Sequence, residues 1–152
     1  MKLDIREATP ADLPGVLELY AQPGMNDDRV LDLAQAQEIY AQFARYPSYR
    51  LFVATKPEAP QQLLGSYALL VMHNLAHMGT PSAIAEDVVV DVAHRGQGIG
   101  RQLMAHAVAS AREAGCYKLA LSSNRKRENA HAFYESLGFG RHGYSFVIET
   151  QL

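Results

Sequence analysis

Three glycines stand at every second position in Arg95-Gly96-Gln97-Gly98-Ile99-Gly100-Arg101, after the apolar run Val88-Val89-Val90 and before a segment with helical spacing. Backbone amides at a helix start have no intrahelical acceptors, and the helix dipole leaves that end partly positive. Glycine lets successive amides turn toward one anion with no side chain in the way, so the stretch reads as a phosphate cradle. Arg95 at its mouth can add charge-assisted hydrogen bonds. The spacing fits neither of two common phosphate loops. A nucleoside-triphosphate loop needs G-x-x-x-x-G-K-[S/T], and no lysine follows; the dinucleotide fingerprint needs a third glycine where Arg101 stands. Read alone, the glycines also suit a turn that only packs a helix on a strand.

With their surroundings they resemble the acetyl-CoA motif of the GNAT superfamily of N-acetyltransferases, [Q/R]-x-x-G-x-[G/A], which Arg95, Gly98 and Gly100 satisfy. Downstream, "NAHAFYESLGF" from Asn129 to Phe139 resembles that superfamily's second signature, an Asn followed by Phe-Tyr and Leu-Gly-Phe. The resemblance implies acetyl-CoA as co-substrate and a sheet whose fourth and fifth strands splay to admit the pantetheine arm. Backbone groups of Val88 and Val90 would pair with that arm as another strand would. The loop Arg95, Gly96, Gln97, Gly98, Ile99, Gly100 and Arg101 would take the pyrophosphate, chiefly on the amides from Gln97 to Arg101.

Acetyl transfer to an amine then needs three groups. An alkylamine with a pKa of about 10 is mostly protonated at neutral pH, so a base must take a proton before attack. Glu86 is the candidate, directly or through a water. By period-two alternation it shares a strand face with Ile84, Val88 and Val90, an apolar setting that raises a carboxyl pKa, while Asp87 points the other way. Its competing role is a strand-end carboxylate in an ion pair. The thioester oxygen wants a donor, for which the backbone amide near Val90 is expected. The resemblance makes Tyr134 the acid for the leaving thiolate, since it matches the signature tyrosine facing the cofactor sulfur in many relatives; its competing role is packing with Phe133 and Leu137. Asn129 matches the family asparagine that bonds the pantetheine, with helix capping as its rival role and Asn124 competing for that.

The acceptor is expected to be a small primary amine, attacking directly in a ternary complex. Arg125, Lys126 and Arg127 can hold the CoA 3′-phosphate or an anionic group of the acceptor, or simply face solvent. The run resembles aminoalkylphosphonate N-acetyltransferases in its N-x-K-R and A-H-x-F-Y elements, and "GCYK" (Gly115 to Lys118) is similar to glucosamine 6-phosphate N-acetyltransferases. Both imply amines carrying a phosphorus oxyanion. Asp27 and Asp28 would instead suit a cationic amine, in a wall built from "AQPGMNDD", the second helix and the "HNLAHMGTPS" loop. Two alternatives stand beside this reading: an acetyl-CoA sensor or interaction domain without turnover, and a protein N-terminal or lysine acetyltransferase.

The elements that must position these groups are read from periodicity. "LDIREA" alternates as a half-buried strand; a helix follows with Thr9 or Asp12 as cap and Leu13, Val16, Leu17 and Tyr20 on one face. A second helix runs from Arg29 to about Tyr46, where Pro47 ends it. "RLFVAT", "QLLGSYALLVMH" and "AIAEDVVVD" are strands. Ile99, Leu103, Met104, Ala107, Val108 and Ala111 form one face of the helix after the glycines. "CYKLALSS" is a fifth strand, a last helix runs to Gly138, and "FGRHGYSFVIE" supplies one or two closing strands. The result is an α/β mixed sheet, βααβββαβαβ(β), with helices on both faces; it fits the GNAT fold and occupies residues 1–152 as a single domain.

Composition sets outer bounds. A formal net charge of −2 gives no global reason to expect nucleic-acid binding. The single cysteine, Cys116, cannot form an internal disulfide and reads as a small core residue. No run approaches bilayer length and the first residues lack a secretory apolar core, so the cytoplasm is expected, with no membrane partner. His73 and His77 lie at a strand end and loop, and His94, His131 and His142 are scattered, so no metal is expected. The closing strands and second helix offer a surface for a homodimer.

Overall fold

The computed structural model describes residues 1–25 and 29–151. The expectation placed on Asp27 and Asp28 therefore lies outside the described residues. Two compact units, Met1–Ala120 and Leu121–Leu152, are taken in turn.

In the first unit five strands lie in chain order: β1 (Asp4–Glu7), β2 (Tyr49–Thr55), β3 (Gly65–Met72), β4 (Ser82–Val90) and β5 (Leu119–Ala120). The first four pair antiparallel and β5 joins β4 in parallel. Helices α1 (Leu13–Tyr20) and α2 (Leu33–Phe43) separate β1 from β2, and α3 (Ile99–Glu113) crosses from β4 to β5. One sheet face buries Leu51, Val53, Ala68 and Val89 against Val16 and Leu19 of α1. The other carries α3. There Gly65 is required by close approach, since a Cβ would come within 2.9 Å of Leu103 and of the Val89 carbonyl. On the same face the fully buried Tyr67 hydroxyl meets His106 Nδ1 of α3 at 2.7 Å. Burial pushes the Tyr67 hydroxyl up and His106 down, so both are neutral and the His106 tautomer sets which of them donates.

The chain enters α1 through a one-turn 3-10 helix, Pro10–Asp12. Asp12 governs that entry. Its carboxylate takes Arg6 through Nη1 at 2.7 Å and Nη2 at 2.9 Å, and the Thr9 amide at 2.7 Å. Helix α2 is shorter than its apolar spacing suggests. Asp32 accepts the Gln35 amide at 2.8 Å and Gln35 Oε1 returns to the Asp32 amide at 3.3 Å, a capping box that starts the helix at Leu33 and leaves Val30 outside it.

The second unit contains α4 (Glu128–Ser136) and, among the described residues, no strand. The closing strands expected from "FGRHGYSFVIE" are not formed there: Tyr144, Phe146, Val147 and Ile148 are 84–94% exposed. Alternation shows that a segment can pair, but a strand exists only where a partner does.

Candidate active site

The site is built around an irregularity in β4. Ala68 of β3 pairs with Glu86, yet Ser66 pairs with Val89, so β4 gains one residue on its neighbour. Asp87, within that bulge, takes φ +52°, a conformation aspartate tolerates better than most non-glycine residues. The extra residue reverses the alternation beyond it. Through their cross-strand partners Leu70, Ala68 and Ser66, residues Ile84, Glu86 and Val89 share one face, while Val90 lies opposite Gly65 on the α3 side. This corrects the expectation that Glu86 shares a face with Val88 and Val90; counting by twos fails across an inserted residue. The carboxyl that desolvation raises is that of Asp87, although part of its side chain reaches solvent. Tyr20 and Tyr49 are raised too, first by burial and then by the Asp87 charge.

The bulge also prepares the outer edge of β4. The Asp91 amide bonds the Leu64 carbonyl at 2.9 Å. Ladder alternation then makes Val90 and Gly65 a non-bonded pair, with the Val90 N–H and C=O turned away from β3. Gln22, just past α1, donates to the Val90 carbonyl at 3.2 Å and accepts the Val92 amide at 2.7 Å, which pins the strand exit. On its other side β4 pairs with β5 only at Ala83 and Ile84, and beyond Ile84 that edge has no strand partner among the described residues.

After β4 the chain turns through Val92–His94, where Asp91 accepts the Ala93 amide at 3.1 Å and meets His94 Nδ1 at 2.7 Å. Arg95, Gly96, Gln97 and Gly98 are exposed. Gly96 and Gly98 have φ +76° and +80°, and a Cβ on either would meet nothing within 4 Å, so conformation and not crowding selects glycine there. Gly98 is the N-cap residue of α3 and supplies no side-chain cap, and the first turn holds no acidic residue. The amide of Gln102 reaches the Gly98 carbonyl at 3.1 Å, but those from Gly96 to Arg101 find no acceptor among the described residues. Ile99 anchors the helix start in the core at 1% exposure. Unpaired amides at the head of a 15-residue helix, with no side chain over them, fit a phosphate.

In the second unit, Tyr134 lies half-buried on α4 between Phe133 (ring centroids 5.3 Å apart) and Phe139 (5.9 Å). Burial raises its hydroxyl, partly offset by Arg127, and that hydroxyl has no hydrogen-bond partner among the described residues. Asn129 sits inside α4, whose N-cap residue is Arg127, so Asn129 does not cap it. Asn124 shapes the preceding turn, with Oδ1 accepting the Lys126 amide at 2.9 Å. Arg125 lines a polar cavity with Glu128, His131 and Arg141, and Arg141 is itself paired with Glu135 at 2.7 Å, so the lining carries both signs.

Back in the first unit, a cavity of about 330 Å³ opens where α2 faces the sheet. Ile39, Gln42 and Phe43 of α2 form one wall, Tyr46 and Tyr49 the next, and Leu70 and Glu86 the floor. The second helix, expected to form part of the acceptor wall, lines this cavity, whereas the "HNLAHMGTPS" loop does not. Gln22 and the Phe43, Tyr46, Tyr49 cluster were not legible in the sequence, where alternation points Asp87 away from the Glu86 face. Gln22 acts on residues 68 and 70 positions away, which no local pattern signals. Among the described residues no group of three or more His, Cys, Asp or Glu is placed to hold a metal ion, and no helix is long and apolar enough to cross a membrane.

Comparison with known proteins bears on the whole chain. The aminoalkylphosphonate N-acetyltransferase of Salmonella typhimurium is 31% identical over 144 residues, which is 95% of this chain and 89% of that protein. The glucosamine 6-phosphate N-acetyltransferase of Trypanosoma brucei brucei is 37% identical over 81 residues, so the chain spans about half of that relative, 53%. A solved structure from Agrobacterium tumefaciens, described as an acetyltransferase, superposes with a TM-score of 0.88 at 37% identity, covering 97% of this chain and 99% of that one. The superposition agrees with the fold described above. Residues 14–139 match the acetyltransferase (GNAT) family, and the chain belongs to it.

Proposed function

We propose that the chain moves the acetyl group of acetyl-CoA to the primary amine of a small molecule by direct attack in a ternary complex. The observation that carries this reading is the row of unpaired amides from Gly96 to Arg101 at the head of α3, at the end of a strand whose outer edge is open beyond Ile84. In this reading those amides, with Arg95 and Arg101, hold the pyrophosphate. The outward-facing backbone of Val90, and that of Val88, pair with the pantetheine, as does Asn129. The Val90 N–H donates to the carbonyl oxygen as negative charge develops there. Glu86 takes the ammonium proton, directly or through a water, and the amine nitrogen forms its bond to the acyl carbon. As the carbon–sulfur bond breaks, Tyr134 gives its proton to the sulfur and the nitrogen sheds its second proton to water, leaving a neutral amide; Glu86 then returns its proton to solvent and Tyr134 regains one from it. Burial keeps the Tyr134 hydroxyl protonated at neutral pH, the form an acid must have.

A family match running from residue 14 to 139 supports one catalytic domain over residues 1–152. The single free thiol of Cys116 suits a cytoplasmic location. The exposed apolar run Tyr144–Ile148 suits a homodimer in which a second copy covers it. No nucleic-acid, membrane or metal partner enters the reading.

The test is thiol release from acetyl-CoA with a panel of small amines and peptides, alongside calorimetry with CoA. Turnover with small amines supports the reading. Turnover with peptides alone reassigns the acceptor, tight CoA binding without turnover makes the chain a sensor, and no CoA binding by folded protein removes the assignment.

A further inference from the structure

The amine-bearing substrates named for the relatives carry phosphorus oxyanions, and the cavity beside Glu86 is built for a different charge. We propose that this cavity receives the acceptor, and that the acceptor is a primary ammonium on an apolar body rather than a phosphorylated amino sugar or an aminophosphonate. The proposal rests on the acetyl-transfer reading above and specifies its second substrate.

Three observations carry it. First, Glu86 is the one charged residue in the cavity lining among the described residues, so the local field favours a cation and opposes an anion. The nearby cation, Arg45, lies outside the lining and is bonded through Nη1 to Gln42 Oε1 at 3.0 Å. Second, the remaining wall is apolar and aromatic, and its rings hold one another in place. Phe43 stacks on Tyr49 at 4.6 Å and 26°, and Tyr46 meets Tyr49 edge-on at 6.0 Å and 85°. Ring faces attract an ammonium, while their apolar bodies exchange water for the substrate's hydrocarbon. Third, Ile39 and Tyr46 are left 48% and 58% exposed, although α2 turns Ala36 into the core one turn earlier. That is an open apolar surface around a carboxylate, at about 330 Å³ the size of a small ligand. Its floor includes Glu86 of β4, four positions before Val90, so an ammonium paired with Glu86 stands beside the strand that the thioester lies along in the transfer reading.

The same wall also explains why resemblance to the relatives does not fix the substrate. The glycine loop binds the part of acetyl-CoA that every such enzyme shares. The charge of the acceptor is set instead by α2, Tyr46, Tyr49 and Glu86.

The experiment compares 2-phenylethylamine and isopentylamine with 2-aminoethylphosphonate and glucosamine 6-phosphate, reading thiol release and, by calorimetry, affinity for the CoA-saturated full chain. The apolar amines are expected to exceed the phosphorylated ones in kcat/KM by about tenfold or more. Ile39→Lys puts a cation into the wall at an exposed helix position and leaves the glycine loop alone. It is expected to raise KM and Kd for 2-phenylethylamine about tenfold or more while the Kd for CoA stays unchanged. Preference for 2-aminoethylphosphonate or glucosamine 6-phosphate overturns this inference and leaves acetyl transfer intact. So does an Ile39→Lys variant that keeps its amine affinity but loses a dimer by light scattering, which would make the face an interface between two copies. Failure of every amine to give thiol release above the amine-free background overturns the transfer reading and this inference together.

Discussion

Gly98→Ala separates backbone strain from ligand recognition. Gly98 holds φ +80° and a Cβ there would meet no protein atom within 4 Å. The folded chain without ligand therefore carries only the left-handed penalty, about 1–2 kcal/mol. Gly115, just past the end of the same helix, has φ +75° and equally open surroundings, so Gly115→Ala carries the same strain and serves as an internal control. In a chain of this length each kcal/mol shifts Tm by roughly 2–4 °C, so both variants should melt about 2–8 °C below the parent. Ligand binding should part them. If the loop holds the pyrophosphate as proposed, a methyl at Gly98 would displace it from at least one of the unpaired amides. A hydrogen bond to a charged group contributes about 1.5–3 kcal/mol, which is roughly 10- to 150-fold in Kd. Calorimetry with CoA at one fixed ionic strength should show at least the lower loss for Gly98→Ala and none for Gly115→Ala. An unchanged Kd for Gly98→Ala, with the expected drop in Tm, would refute the cradle, because conformational strain would then be the glycine's whole purpose.

Tyr134→Phe keeps the contacts with Phe133 and Phe139 and removes only the hydroxyl, so kcat should fall about 10²-fold or more at unchanged Tm; undiminished turnover removes the acid assignment. Glu86→Gln should flatten the acid limb of the kcat/KM profile, and a limb that persists in Glu86→Gln but vanishes in Asp87→Asn transfers the base role to the bulge carboxylate. Asp87 also gives a stability test with a definite sign. Its folded pKa is raised above the ordinary carboxylate value of 3.8, so the folded state holds the proton longer and stability declines as pH rises through that window. Asp87→Asn, which also suits φ +52°, should therefore be more stable than the parent at pH 7 in urea melts; equal midpoints count against the desolvated carboxylate. Asp12 works oppositely, since Arg6 holds its pKa below the ordinary value. Asp12→Asn should lose about 1–2 kcal/mol at neutral pH, and the difference from the parent should disappear as pH falls through the folded pKa; a difference that persists below it points to packing instead.

The geometry of the glycine loop at the head of α3 was legible because its physics is local. Glycines at positive φ, a helix start without a side-chain cap and an apolar strand before it all lie within residues 88–104, so their types and spacing are enough to infer unpaired amides. The acceptor half depends on contacts between residues distant in sequence. Phe43, Tyr49 and Glu86 line one cavity only because β2, β3 and β4 fold into register, and Gln22 reaches Val90 across 68 positions. The start of α2 shows how a short polar signal overrides a longer apolar one: Val30 keeps helical spacing with Leu33, but Asp32 and Gln35 complete a capping box and fix the start at Leu33. At β4 the failure has a single cause. Three consecutive valines after Glu86-Asp87 suggest a regular strand, and nothing in residue type reveals that one of these positions lacks a cross-strand partner. Yet the insertion is what lets one strand present two chemistries. Without it Glu86 and Val90 would share a face; with it Glu86 faces the α2 cavity with Ile84 and Val89 while Val90 lies on the α3 side, its backbone turned outward at the strand edge. In the proposed reading, the carboxylate for the amine and the N–H for the acyl oxygen would thus come from the same nine-residue strand without competing for the same space.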